Sequence, residues 1–325
     1  MPVITVREAL RQAMDEELAR DDAVILMGEE VGEYDGAYKV SQGLLDKYGP
    51  ERIIDTPITE EGFAGIGIGA AMAGLRPIVE FMTWNFAFMA MDQLVSNAAK
   101  MRHMSGGQIT IPIVFRGPNG PAEYLSSQHS QACQTFYAHC PGLLVVSPST
   151  AYDAKGLLKS AIRNDNPVVF LEAEMMYAWK GDVPKEEYLV PIGEAAVRRA
   201  GDDVTLVGYG KPMRLVEAAA DALADEGHAP EVIDLRSLRP LDVETIVASV
   251  RKTNRCVIVD ESWPVCSFAS YVAAVVAREC FDLLDAPVET ITSEDVPMPY
   301  NHTLELAVQP SVEKILAAAK RVMYL

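Results

Sequence analysis

Short apolar runs alternate with segments of helical periodicity along most of the chain, and this alternation constrains the fold more than any other feature. Runs such as 23–27, 111–116 and 168–171 have the length and β-branched content of buried strands. The segments between them carry helix start and stop signals. Strands that alternate with helices predict an α/β fold, with a mainly parallel sheet covered by helices on both faces.

Several predicted helices have recognisable ends. Thr5 and Glu8 form a capping-box pattern that opens the first helix. Ser41 is predicted to cap a second helix, which Gly49-Pro50 ends, and a longer helix is predicted over 85–104. Open parallel sheets bind ligands beyond the carboxyl ends of their strands. The candidate ligand-binding loops are therefore 28–40, 55–60, 81–86 and 116–130.

The alternation lapses at WKGDVPKEEYLVP, residues 179–191, which is charged and contains proline. This stretch is predicted to link two domains. A chain of 325 residues is long enough for two domains. We therefore predict a first domain over residues 1–185 and a second, smaller α/β domain over residues 192–325.

The composition argues against several classes of protein. A formal net charge of −18 opposes binding to nucleic acid, whose phosphates are also negative. No apolar run approaches the roughly 18 residues of a membrane-spanning helix, and the first residues contain no apolar secretory core. The five cysteines have no C-x-x-C spacing, which argues against a zinc site and a redox pair. A cytoplasmic protein with reduced thiols is expected.

The stretch DTPITEEGFAGIGIGAAMAGLRPIVEF, residues 55–81, supports two interpretations. Its glycines satisfy the pattern G-x-G-x-x-G/A of a dinucleotide-binding turn, which would indicate an NAD-binding oxidoreductase. That motif requires a strand running directly into the first glycine, whereas Thr59 is placed to cap a helix that contains the glycines. Gly65, Gly69 and Ala73 would then share one helical face. Because a glycine inside a helix costs ~1 kcal/mol, we prefer a helix packed closely against another helix across a subunit contact.

Two acids, Glu60 and Glu61, open this predicted helix. Acids at a helix N-terminus interact favourably with the helix dipole, by about 0.3–1 kcal/mol each. The alternative is that one of them points inward among apolar neighbours and performs proton chemistry with a raised pKa. The residue pattern alone leaves both explanations open.

Longer blocks of sequence carry a resemblance to a known family. These blocks are DGAYKVSQGL, RIIDTPITEEGFAGIGIGAAMAGLRPIVEFMTWNFAFMAMDQLVSNAAKMRHMSGG, PIVFRGPNG, QHSQ, YAHCPGLLVVSP, DAKGLLKSAIRNDNPVVFLE and DVPMPY. Through them, and over essentially its whole length, the chain resembles the beta subunits of the two-chain, thiamine-diphosphate-dependent 2-oxoacid dehydrogenases, which are transketolase-like. The EFMTWNF and RGPNG blocks are most similar to the pyruvate type, with the branched-chain 2-oxoacid and acetoin types as alternatives.

The resemblance implies a fold, a cofactor and partners. The first domain would have the thiamine-diphosphate-binding fold and hold the cofactor's aminopyrimidine, and the second would resemble the transketolase C-terminal domain. An alpha subunit would complete an α2β2 heterotetramer and hold Mg²⁺ and the diphosphate through a G-D-G motif, which this chain lacks. The implied reaction is oxidative decarboxylation of pyruvate, with acetylation of lipoyl groups on a dihydrolipoyl acetyltransferase core. A scaffold that only docks to that core is the non-catalytic alternative.

The resemblance also implies roles for individual residues. Glu60 would share a proton with N1′ of the aminopyrimidine, while Glu61 would face away from the cofactor. Ile58, Met82 and Phe86 would pack on the aminopyrimidine ring. His129, in QHSQ, would donate a proton as the acyl group passes to a lipoyl sulfur.

Two further sites are implied outside the cofactor-binding region. Some members of the family hold a structural K⁺ through backbone carbonyls. The matching residues here are Ile113, Ala161, Ile162, Asn164 and Asn166. Asp285 and the terminal carboxylate of Leu325 match the surface that docks a basic segment of the acetyltransferase, and the negative charge of the chain is consistent with such a partner.

Overall fold

The computed structural model describes all 325 residues. They form two compact units, residues 1–119 with 136–192 and residues 120–135 with 193–325. No helix is both long and apolar enough to cross a bilayer. The strands are β1 (Val3–Thr5), β2 (Val24–Gly28), β3 (Ile53–Asp55), β4 (Arg76–Glu80), β5 (Val114–Pro118), β6 (Leu144–Val146), β7 (Val168–Glu172), β8 (Lys180–Asp182), β9 (Ala196–Arg199), β10 (Val204–Gly208), β11 (Pro230–Asp234), β12 (Ser237–Arg239), β13 (Cys256–Val259) and β14 (Glu289–Ile291).

The helices lie between these strands, as the alternating pattern predicted. They are α1 (Val6–Arg20), α2 (Leu44–Tyr48), α3 (Glu60–Met72), α4 (Ala99–Met104), α5 (Gln134–Ala138), α6 (Ala151–Ile162), α7 (Met213–Asp225), α8 (Val243–Thr253), α9 (Phe268–Cys280), α10 (His302–Val308) and α11 (Val312–Val322).

The first unit contains six parallel strands in the order β6-β7-β5-β4-β2-β3. Successive strand residues point to opposite faces. Ile78 of β4 therefore packs in a buried cluster with α1 and α6, while its neighbour Val79 faces Gly67 of α3. Helices cover both faces, which explains why the central strands are apolar on both sides.

The second unit contains a smaller sheet in the order β14-β13-β10-β11-β9. Four of its strands are parallel, and β9 pairs antiparallel with β11 at one edge. Apolar residues of α7 and α11 pack with those of β10, β11 and β13 in one buried cluster. The predicted α/β class is therefore confirmed for both parts of the chain, although the second sheet is mixed.

Three local predictions need correction. Ser41 does not cap α2, because its hydroxyl donates to the carbonyl of Val31 at 2.7 Å and the N-cap position is Gly43. The helix predicted over 85–104 contains a 3₁₀ turn at Ala87–Ala90 and a π-helical segment at Gln93–Ala98. The segment 179–191, predicted to link two domains, is not irregular throughout, since it contains β8, which pairs with β1.

Candidate functional site

Glu60 and Glu61 point in different directions at the start of α3. Glu60 is the first residue of the helix and is buried at 8% exposure, whereas Glu61 is exposed. Consecutive helical residues differ by about 100° around the axis, since there are about 3.6 residues per turn. Of the two acids, only Glu60 therefore points into the protein.

A second acid, Glu29, faces Glu60 and was missed by sequence reasoning. It follows β2 directly and is 3% exposed, and its Oε1 atom is buried without a hydrogen-bond partner. Burial above all, then the charge and hydrogen bonding of Glu60, raise the pKa of Glu29 to about 7. The available signal was an acidic pair, Glu29-Glu30, placed at the carboxyl end of an apolar strand.

Removing the Glu29 carboxyl is expected to flatten the pH dependence of stability. A neutral carboxyl favours the folded chain, so its contribution is full below the unfolded pKa near 4.5 and is lost as the pH rises through about 7. A Glu29→Gln variant cannot lose that proton. Urea unfolding midpoints measured across this range should fall less steeply for Glu29→Gln than for the wild type. The exposed neighbour Glu30 provides the control. In Glu30→Gln the unfolding midpoint should fall with pH as steeply as in the wild type.

Met82 and Phe86 lie beyond the carboxyl end of β4, in the same unit as Glu60, and both are half-buried. The intervening Trp84 ties this segment to β5, because its amide donates to the carbonyl of Pro118 at 2.9 Å. Ile58 differs, since 81% of its surface is exposed and it packs against little of this chain. Two of the three residues predicted to contact the aminopyrimidine are thus partly enclosed by the chain itself.

A fully buried ionic network joins the middle of β5 to the carboxyl ends of β4 and β7. The guanidinium of Arg116 donates to both oxygens of Glu172, at 2.6 and 2.5 Å, and also bonds Glu80. The hydroxyl of Tyr177 donates to Glu172 at 2.6 Å. Arg116 is 0% exposed, and its two acids are 4% exposed or less. Burial raises the pKa of Glu80, while the Arg116 charge opposes that shift.

The glycines of α3 do not form a phosphate-binding turn. They lie inside a helix that begins at Glu60, so the dinucleotide interpretation is wrong. Gly67 is required by packing, because a Cβ there would meet Val79 Cγ2 at 2.7 Å. Gly69 faces open space, and Ile66 and Met72 are exposed near it. On the same side of the helix, a Cβ at Gly65 would lie 3.3 Å from the side chain of Gln93 in the π-helical segment, so the chain itself covers part of this face and leaves the part near Gly69 open.

His129 lies in the second unit, whereas Glu60 lies in the first. It ends a short 3₁₀ turn, Ser127–His129, and its side chain is exposed. The loop that carries it is closed at its base, where the amide of Gly120 donates to the carbonyl of Gln131 at 3.1 Å. The predicted proton donor is thus presented on an anchored surface loop.

The residues predicted to bind potassium surround the loop between α6 and β7. The Arg76 guanidinium donates to the carbonyls of Ile162 and Asn164, at 3.1 and 3.2 Å. The carbonyls of Ile113 and Ala161 accept backbone hydrogen bonds at 2.9 and 3.1 Å. Arg76 therefore places positive charge beside two of the five predicted ligands. A carbonyl oxygen has two lone pairs, so one hydrogen bond does not by itself prevent it from binding a cation.

The two predicted docking residues lie near each other. The hydroxyl of Tyr324, next to the terminal Leu325, donates to the carbonyl of Asp285 at 2.6 Å. The Asp285 carboxylate is 2.9 Å from Arg255, and 67% of Leu325 is exposed. Sequence reasoning did not find the Arg255 contact, which partly neutralises this acid.

Family comparisons cover both units of the chain. A model of the transketolase pyrimidine-binding domain matches residues 3–180, and a model of the transketolase C-terminal domain matches residues 193–315. The solved structure named "Split gene transketolase, inactive beta4 tetramer" aligns with a TM-score of 0.80 over 99% of each chain. Its sequence is 21% identical, so this match shows a shared fold.

Several curated proteins are much closer in sequence. The pyruvate dehydrogenase E1 component subunit beta of Dictyostelium discoideum, a mitochondrial protein, is 54% identical over 98% of this chain and 91% of its own length. The protein of the same name from Rickettsia conorii is 54% identical over 99% of this chain and 98% of its own. The mitochondrial protein from Caenorhabditis elegans is 55% identical over 98% and 92%.

Proposed function

Because the chain belongs to the family of beta subunits of the pyruvate dehydrogenase E1 component, we propose that it supplies half of the active site for the oxidative decarboxylation of pyruvate. An alpha subunit would supply the other half in an α2β2 assembly. The observation that carries this proposal is the pair of facing, buried carboxyl groups of Glu29 and Glu60. They lie in the part of the chain that matches a pyrimidine-binding domain.

The residues of this pair fit the aminopyrimidine of thiamine diphosphate. A basic ring nitrogen needs a carboxyl partner that can share a proton near neutral pH, in surroundings that exclude water. Glu60 is buried, and Glu29 beside it has a pKa raised to about 7 and an oxygen that lacks a partner. When bound, thiamine diphosphate would supply the nucleophilic carbon that attacks the keto group of the substrate.

Each residue of this chain then has a definite task. Glu60 holds the proton at N1′ of the aminopyrimidine, and Glu29 keeps Glu60 hydrogen-bonded and retains a proton within the pair. Met82 and Phe86 present apolar surface to the ring. His129 donates a proton as the acetyl group passes to a lipoyl sulfur, a role that the exposure of its side chain supports.

The partners follow from the same assignment. The chain has no G-D-G motif, so Mg²⁺ and the diphosphate would be held by the alpha subunit. The uncovered part of α3, where Gly69 leaves open space beside Ile66 and Met72, would pack against a helix of another subunit. The surface around Asp285 and Leu325 would receive the acetyltransferase core. All five cysteines are free, which supports a reducing compartment, and the cytoplasm is the location proposed.

Reconstitution tests this function. The purified chain is expected to show no pyruvate-dependent turnover, and the alpha subunit should restore it. The kcat/KM for pyruvate should exceed that for a branched-chain 2-oxoacid by about 10-fold or more, because each extra methylene in a fitted pocket changes the rate by ~10–200-fold. Equal values, or a preference for the branched substrate, would assign the chain to the branched-chain type. Turnover by the chain alone would contradict the shared site.

Potassium is expected to stabilise the chain through the second lone pairs of the carbonyls around 161–166. Binding at ten times the dissociation constant contributes about 1.4 kcal/mol, which corresponds to a rise in Tm of roughly 2–6 °C. Thermal unfolding in KCl, NaCl and choline chloride at equal ionic strength measures this. Identical Tm values in the three salts would mean that potassium does not bind to these carbonyls and that Arg76 is their only cationic partner.

A further inference from the structure

The loop that carries His129 has an unfavourable conformation at its tip. Tyr124 and Ser126 both have φ of 64°, in the left-handed region. This region is unfavourable for residues other than glycine, which persist there only where surrounding structure holds them. The tip therefore requires anchoring contacts that the base of the loop, at Gly120 and Gln131, does not provide.

Those contacts come from the segment 298–305, about 170 to 180 residues away in the sequence. The Glu305 carboxylate accepts the amide hydrogen of Tyr124 at 3.3 Å and lies 3.2 Å from Nδ1 of His302. The rings of Tyr124 and His302 stack, with centroids 4.7 Å apart and planes 26° apart. On the other side of the tip, the hydroxyl of Ser127 donates to the carbonyl of Met298 at 2.9 Å.

The burial of the Glu305 carboxylate at this position is energetically unfavourable. It is 1% exposed, and its Oε1 atom is buried with no hydrogen-bond partner. A buried carboxylate is unfavourable unless donors compensate it, and the donors here are the Tyr124 amide and His302. A glutamate that only continued a short helix would not need to be enclosed. The contact explains its burial, because it fixes the loop and the helix to each other.

We infer that Glu305, together with His302 and Tyr124, is an anchor that holds the His129 loop in position, and that Glu305 is thereby a positioning residue for acyl transfer to the lipoyl group. The catalytic part rests on the proposed function of His129. The anchor itself rests only on the contacts within the second unit.

Hydrogen exchange in the assembled α2β2 complex tests the anchor directly. In Glu305→Ala, amides in 121–129 should exchange about 10-fold faster than in the wild type, since a lost charged hydrogen bond of ~1.5 kcal/mol corresponds to that factor. Glu305→Gln keeps one acceptor and should give an intermediate rate, as should His302→Phe, which keeps the ring stack. The exposed control Glu313→Gln should match the wild type. Unchanged exchange in Glu305→Ala, or faster exchange throughout 193–325, would overturn the inference.

Two activity measurements on the same variants separate this inference from the proposed function. Decarboxylation is followed with an artificial electron acceptor, and lipoyl acetylation with the acetyltransferase lipoyl domain. Glu305→Ala should lower acetylation several-fold more than decarboxylation. Faster exchange in the loop with unchanged acetylation would support the anchor and overturn the positioning role of Glu305, while leaving the proposed function of the chain in place.

Discussion

An Arg116→Met variant is expected to be less stable than the wild type by about 3–5 kcal/mol, because it leaves the carboxylates of Glu80 and Glu172 buried together without a counter-charge. Arg116 is 0% exposed and bonds both acids, so water cannot replace the guanidinium. Methionine fills a similar volume, which separates the loss of charge from the loss of packing. Urea unfolding of the isolated chain measures the difference.

The controls for this variant use pH and a surface arginine. Without Arg116 the two acids should bind protons more readily when folded, so the deficit should shrink as the pH is lowered and grow as it is raised. Arg278→Met should change stability by less than about 0.5 kcal/mol, since Arg278 is exposed and pairs only with its neighbour Glu279. An Arg116→Met protein as stable as this control would mean that the network contributes nothing to folding.

The sequence predicted the elements more successfully than the contacts between them. Apolar runs located the main strands, because buried parallel strands must be apolar on both faces. The family resemblance distinguished Glu60 from Glu61, which the residue pattern alone did not. Glu29 was missed because its burial and its contact with Glu60 arise only when the ends of β2 and α3 meet in space. Ser41 was mispredicted because a tertiary contact with Val31 competes with capping.

The same limit applies to the other polar clusters. Arg116 stands in the RGPNG block, which carries part of the family resemblance but gives no sign of an ionic role for the arginine. Its acids come from two other strands, 36 and 56 residues away. The anchor of the His129 loop depends on a contact 181 residues away in the sequence. Such long-range pairs leave no periodic pattern in one sequence, so only the folded chain reveals them.

Replacing the Glu60 carboxyl is expected to abolish most catalysis without preventing assembly. Glutamine at this position has nearly the same shape but cannot share a proton with N1′ of the aminopyrimidine. Proton transfer by a positioned side chain contributes about 10²–10⁴-fold to rate, so kcat for pyruvate should fall by at least ~100-fold. The KM for pyruvate should change little, because the lost interaction serves the chemical step.

The central claim is that catalysis needs the carboxyl of Glu60. It is tested most directly by comparing the kcat of Glu60→Gln with that of Glu61→Gln, both in the reconstituted α2β2 complex. The two acids are adjacent in sequence, but only Glu60 is buried. The account predicts a loss of at least ~100-fold for Glu60→Gln and a change of less than about 2-fold for Glu61→Gln, as for a surface substitution. Wild-type turnover by an assembled Glu60→Gln complex, or an equal loss in both variants, would contradict it.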